Sequence, residues 1–146
     1  MPAIARILAS RADVEPAAIS VAAALAAMRP GTATVGNLAG LCGLQGHEVS
    51  RALVALGKLG LVEIVGKTVR RRSRKLATIS VPLGWIGNAD VVAIGAFCLA
   101  SKAARSHDAV ITRFGWSPPR LVKAIRAGVS MGAIEVTSSG RLGAAP

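Results

Sequence analysis

From Thr34 onward, apolar positions recur every three or four residues, the spacing of a helix with one buried side. Val35, Leu38, Ala39, Leu41 and Cys42 form the first stripe, with Thr34 as its cap. Gly43 ends that helix at a sharp turn, and Leu44 is the apolar residue that wedges between it and the next. A second stripe, Val49, Ala52, Leu53, Leu56 and Leu59, predicts a helix from about Gln45 to Leu59. His47, Ser50, Arg51, Val54 and Lys58 fall on its opposite side. Gly60 stops it, and Leu61–Val65 reads as a strand. A loop opens at Gly66-Lys67, and Leu76 to Val81 alternates apolar and polar as the return strand of a hairpin would.

Upstream, residues 2–11 read as a short amphipathic helix, with Ile4, Ile7 and Leu8 on one side and Arg6 and Arg11 on the other. Asp13 is the expected cap of the next helix, with Glu15 and Pro16 in its first turn. That helix passes Ile19, Val21 and Leu25 to about Met28 and stops at Arg29-Pro30-Gly31. Downstream, Pro82-Leu83-Gly84 and Gly87-Asn88 bracket a short connection, with Trp85 as an anchor inside it. Asn88 or Asp90 caps a helix over 91–104, and another covers 109–114. Ser117-Pro118-Pro119 starts a third that runs to Met131. Gly132 ends it before a short strand, 133–136.

The two halves match without a gap at an offset of 72 residues. Gly43 falls on Gly115, Ala52 on Ala124, Ala55 on Ala127, Gly60 on Gly132 and Glu63 on Glu135. The matched glycines punctuate the same elements in the same order, which is what a repeated unit requires. The expected organisation is an N-terminal helical extension (1–11), a first unit (12–82), a linker (83–87) and a second unit (88–146).

Gly43 to Glu63, GLQGHEVSRALVALGKLGLVE, resembles the recognition-helix segment of MarR-like winged-helix DNA-binding proteins. The matching residues are Gly43-Leu44, Val49-Ser50-Arg51, Leu53, Leu56 and Gly60-Leu61-Val62. The resemblance implies a mainly α fold with small β-hairpins (α+β), arranged here as a tandem winged helix-turn-helix. It also implies that the second helix enters the major groove, where the residues of its exposed N-terminal face read bases. Those residues are Gln45, His47, Ser50 and Arg51, with Lys58 further along. Arg51 suits a guanine edge or a phosphate, and Gln45 an adenine. Glu48 suits either a cytosine amine or the positive end of the helix dipole. Gln45 stands where the family has Ser or Thr, and Gly46 is a poor helix former, so this helix start is expected to be weakly held. The second copy keeps a cap, Ser117, but has Pro118-Pro119 and Val122 where readers would sit, and a shorter wing.

Charge sharpens this picture. The chain has 146 residues and a net charge of +11, from 18 Lys+Arg against 7 Asp+Glu, an excess that favours a polyanionic partner. Six of those cations, Lys67, Arg70, Arg71, Arg72, Arg74 and Lys75, fall within nine residues where a wing tip is expected. Such a run tracks phosphates or enters the minor groove. Arg120, Lys123 and Arg126 repeat at helical spacing in the second copy, preceded by Lys102, Arg105 and Arg113. The arrangement is consistent with a second phosphate contact, and Ser117, Arg120, Lys123 and Arg126 are its candidate residues.

Composition excludes more than it adds. The chain is 52% hydrophobic but has two Phe, two Trp and no Tyr, which predicts small helices packed through Ala and disfavours base stacking on RNA. Cys42 and Cys98 read as buried reduced thiols. The longest apolar run, 91–100, is too short to span a bilayer, and the N-terminus is a poor signal peptide. His47 and His107 have no neighbouring metal set, and GLCGLQG lacks the Lys-Ser/Thr of a nucleotide loop. The expectation is therefore a cytoplasmic, nucleoid-associated, non-enzymatic protein without cofactor that binds double-stranded DNA sequence-specifically and regulates transcription in a bacterial, phage or mobile-element setting. The alternatives are a tandem protein-protein adaptor and a DNA-binding replication, excision or packaging factor. Residues 2–11 are the expected surface for a homodimer, and the second unit for a protein partner.

Overall fold

Two passes of the same element order, three helices and then a hairpin, make up most of the chain. The computed structural model, which describes residues 2–72 and 75–145, begins with β1 (Ala3–Ala5) and the one-turn helix α1 (Ile7–Ser10). The first pass is α2 (Pro16–Ala27), α3 (Val35–Cys42), α4 (Gly46–Lys58), β2 (Val62–Val65) and β3 (Thr68–Arg71). A strand, β4 (Thr78–Ser80), and a 3-10 turn (Leu83–Trp85) lead to the second pass. That pass is α5 (Ala89–Ser101), α6 (His107–Phe114), α7 (Pro118–Ser130), β5 (Ile134–Val136) and β6 (Leu142–Ala144). The result is mainly α with small antiparallel hairpins.

Both α3 and α6, and both α4 and α7, begin and end 72 residues apart. Gly43 (φ 65°) and Gly115 (φ 69°) take the left-handed conformation after α3 and α6, where a Cβ would be strained. Caps set the starts. The Thr34 hydroxyl accepts from Asn37 N–H, the Asn88 side chain from Val91 N–H and the Ser106 hydroxyl from Ala109 N–H. Because Ser106 caps α6, that helix starts two residues earlier than expected. Asn88, rather than Asp90, caps α5, which ends at Ser101 and not at 104, with Lys102 left-handed behind it.

Four expectations are corrected. Residues 2–11 are not one helix: β1 pairs antiparallel with β4, Ile4 opposite Ile79, and α1 is a single turn. Ile4, Leu8 and Ala9 are buried inside the same chain, whereas Ile7, the other apolar residue of the expected face, is 38% exposed. Asp13 does not cap α2, which starts at Pro16; its carboxylate accepts from both Nε and Nη2 of Arg11. That bonding holds the Asp13 carboxyl down at about 2. The start of α4 is not weakly held, because the Glu48 carboxylate accepts from Gln45 N–H at 3.1 Å. Finally, the return strand of the first hairpin is β3, not 76–81. Val62 pairs with Arg71 and Val65 with Thr68 around a two-residue Gly66-Lys67 turn, in which Gly66 has φ 63°. The strand within 76–81 is β4, and its partner is the N-terminus.

The core is shared between the halves. Helix α2 packs on α4 and on α5. Every residue of α5 from Val91 to Cys98 is buried. Small residues allow this closeness: a Cβ on Gly95 would lie 2.4 Å from the Trp85 ring. Trp85 and Ile86 are themselves buried, and Ser20 Oγ donates to the Ile86 carbonyl at 3.1 Å, so the middle of segment 83–87 is anchored in the core while Leu83 is exposed. Cys42 and Cys98 are buried free thiols, and burial pushes Cys98 up to about 11. No helix among the described residues is long and apolar enough to cross a membrane.

Candidate nucleic-acid interface

Helix α4 carries the exposed polar stripe. At about 100° per residue, positions 47, 50, 51, 54 and 58 fall within one narrow arc. His47, Ser50, Arg51, Val54 and Lys58 are all exposed, as is Gln45 at the helix start. The opposite side, Val49, Ala52, Leu53 and Leu56, is buried. Arg51, Val54 and Lys58 line a shallow hollow with Arg11 and Asp13. Glu48 belongs to the helix start rather than the stripe, as its bond to Gln45 N–H shows.

Over its described residues, the basic run is not a single loop at a wing tip. Lys67 alone sits in the turn. Arg70 and Arg71 lie on β3, where successive side chains point to opposite faces of the ribbon. Arg70 lies opposite Glu63 and its Nη1 is 3.7 Å from that carboxylate. Arg71 reaches the Ala3 carbonyl at 3.5 Å. Arg72 N–H extends the ladder to the Leu61 carbonyl. Lys75 is exposed on the connection to β4, and Arg74 lies outside the described residues. Adjacent on one strand, Arg70 and Arg71 thus reach different partners. Local sequence could not reveal that Arg29 joins it: Val69 N–H bonds the Ala33 carbonyl, which brings Arg29 alongside Arg70 and Arg71 around one apolar hollow.

In the second pass the cations separate. Lys123 and Arg126 are exposed on α7. The Ser117 hydroxyl makes no cap bond, and Ser117 is exposed. Arg120 is held by Asp90 through Nε (3.0 Å) and Nη2 (2.9 Å), with its guanidinium over the Trp116 ring. It faces a cleft of about 380 Å³ that it shares with Glu15, Glu48, Asp90 and Arg51. Arg113, one of the cations that precede these in the chain, is buried. It donates to the carbonyls of Leu8, Ala9 and Val14, pinning the end of α1. Arg105 stacks over Phe97. Arg6 donates from Nε and Nη2 to the Ala100 carbonyl. The second hairpin has a five-residue loop, and Arg141 is the one cation in it.

Among the described residues, no group of three or more His, Cys, Asp or Glu is placed to hold a metal ion. No family model, curated protein or solved structure matches the chain.

Proposed function

We propose that the chain is a double-stranded DNA-binding protein of the winged-helix type. Helix α4 enters the major groove, and the hairpin arginines bind phosphates beside it. One observation carries this reading above the others. A helix-turn-helix with a left-handed glycine turn presents five side chains in one arc, His47, Ser50, Arg51, Val54 and Lys58, all outside the core. Polar donors flanked by a small apolar side chain match what base edges and thymine methyl groups offer. A net charge of +11 supplies the sequence-independent attraction. The two passes are read as tandem winged-helix units of about 12–82 and 88–146, and the role as transcriptional regulation.

A specific observation favours a second role for the second unit. Val122 and Val129, seven residues apart on α7, are both about half exposed. These two exposed apolar side chains suit a protein partner better than a groove.

The reading is tested by measuring affinity for random duplex DNA, single strands and RNA across salt. The expected result is duplex binding that weakens steeply with salt. Changing Arg70, Arg71 and Arg72 together to Ala should flatten the slope by up to about 0.9 for each phosphate that is no longer neutralised. Wild-type protein without salt-sensitive duplex binding would overturn the proposal.

A further inference from the structure

Arg120 occupies the place on α7 that Glu48 occupies on α4, 72 residues earlier. The two sit on either side of the cleft between the halves, with Glu15, Arg51 and Asp90. Arg120 is therefore turned toward the cleft, whereas the positions matching the α4 stripe, from 119 to 130, point outward. Both oxygens of Asp90 are taken up in the pair, at 2.9 and 3.0 Å, and Trp116 covers one face of the guanidinium. Arg120 is thus the α7 cation whose charge is matched by a carboxylate of the chain, although it is exposed like Lys123 and Arg126.

We infer that Asp90 masks Arg120, so that α7 is a latent phosphate-binding helix whose third cation engages DNA only when a phosphate displaces the carboxylate. This rests on the DNA-binding reading. The exchange is feasible on two grounds. The pair is partly solvated, with side chains 47% and 28% exposed, and such pairs are weakly held. Asp90 also lies in the first turn of α5, whose N-terminal dipole stabilises the carboxylate after Arg120 leaves. The indole stays beneath the guanidinium as a hinge surface, since Trp116 is itself buried. The mask makes the second unit add affinity only on a duplex already positioned by α4 and the first hairpin.

The test is a double-mutant cycle on duplex affinity, with a labelled random duplex and a salt series. The four proteins are wild type, Asp90→Asn, Arg120→Ala and the double variant, each checked for helical content by circular dichroism. The expected result is several-fold tighter binding by Asp90→Asn, with a salt slope steeper by about 0.9, the contribution of one phosphate. The gain should vanish in the double variant, which should match Arg120→Ala. Asp90→Ser, which keeps a side chain suited to a helix first turn, repeats the measurement should Asp90→Asn lose structure. If wild type binds duplex and both Asp90 variants bind equally or more weakly while folded, the mask is overturned and the DNA-binding reading stands. If neither wild type nor the Asp90 variants bind duplex, both fall.

Discussion

Helices α4 and α7 share length, flanking glycines and register, yet present different surfaces. At matched positions His47 corresponds to Pro119, Ser50 to Val122, Arg51 to Lys123, Val54 to Arg126 and Lys58 to Ser130. The inner sides agree instead: Ala52 and Ala124 are both buried, and Leu53 is matched by Ile125. Where the inside differs, volume is traded. In the first copy Leu56 and the smaller Val62 are both buried, whereas at the matched positions of the second Gly128 faces the larger Ile134, and a Cβ on Gly128 would lie 2.3 Å from that side chain. Dense packing constrains the inner positions jointly, while solvent leaves the outer ones independent. The copies have therefore kept one architecture and separated in what they offer a partner: polar donors on α4, prolines, valines and three exposed cations, one of them paired with Asp90, on α7.

The sharpest break of the comparison is thermal. If the halves share one core, Trp85→Ala should destabilise both together by about 3–5 kcal/mol, lowering Tm by on the order of 10 °C in one calorimetric transition. Two separable transitions would show independent units. Next, Gly128→Ala should cost about 1–3 kcal/mol by overpacking, and adding Ile134→Val should recover part of it in denaturant unfolding. A loss that Ile134→Val does not relieve would refute the volume trade. On duplexes of defined sequence, Arg51→Ala should lose about 1–3 kcal/mol of discrimination at one base pair, and Lys123→Ala should weaken all sequences alike. Equal weakening across sequences for Arg51→Ala would make it a phosphate contact. The smallest effect concerns the helix starts. Glu48→Ala should cost about 0.5–1 kcal/mol, because it frees Gln45 N–H. Ser117→Ala should change stability by less than about 0.5 kcal/mol, since that hydroxyl makes no cap bond. Comparable losses for the two would show that the helix starts are held alike.

Much of the helical framework is legible in the sequence because its signals are local. Glycines 43, 60, 115 and 132 mark turns wherever the rest of the chain goes, and Thr34 caps a helix through a bond three residues away. Helix α4 and its outward stripe follow from periodicity alone. Two of the helix starts that differ from expectation, at 89 and 107, do so because Asn88 and Ser106 supply side-chain oxygens that bond the first turn.

Local signals along the chain set where most helices start and stop, the repeat after 72 residues, and which face of α4 is polar. These depend on propensities and hydrogen bonds within a few residues. Long-range contacts set that β4 pairs with the N-terminus, that Arg113 is bound to the carbonyls of α1 and its flank, that Arg70 and Arg71 reach different partners, and that Asp90 holds Arg120. Each of these joins residues distant in sequence or depends on which strand pairs with which. An alternating strand pattern shows that a partner exists without naming it. A charged residue shows its charge without showing whether another part of the chain has already met it. Those choices are made by long-range packing, which settles which groups lose water together.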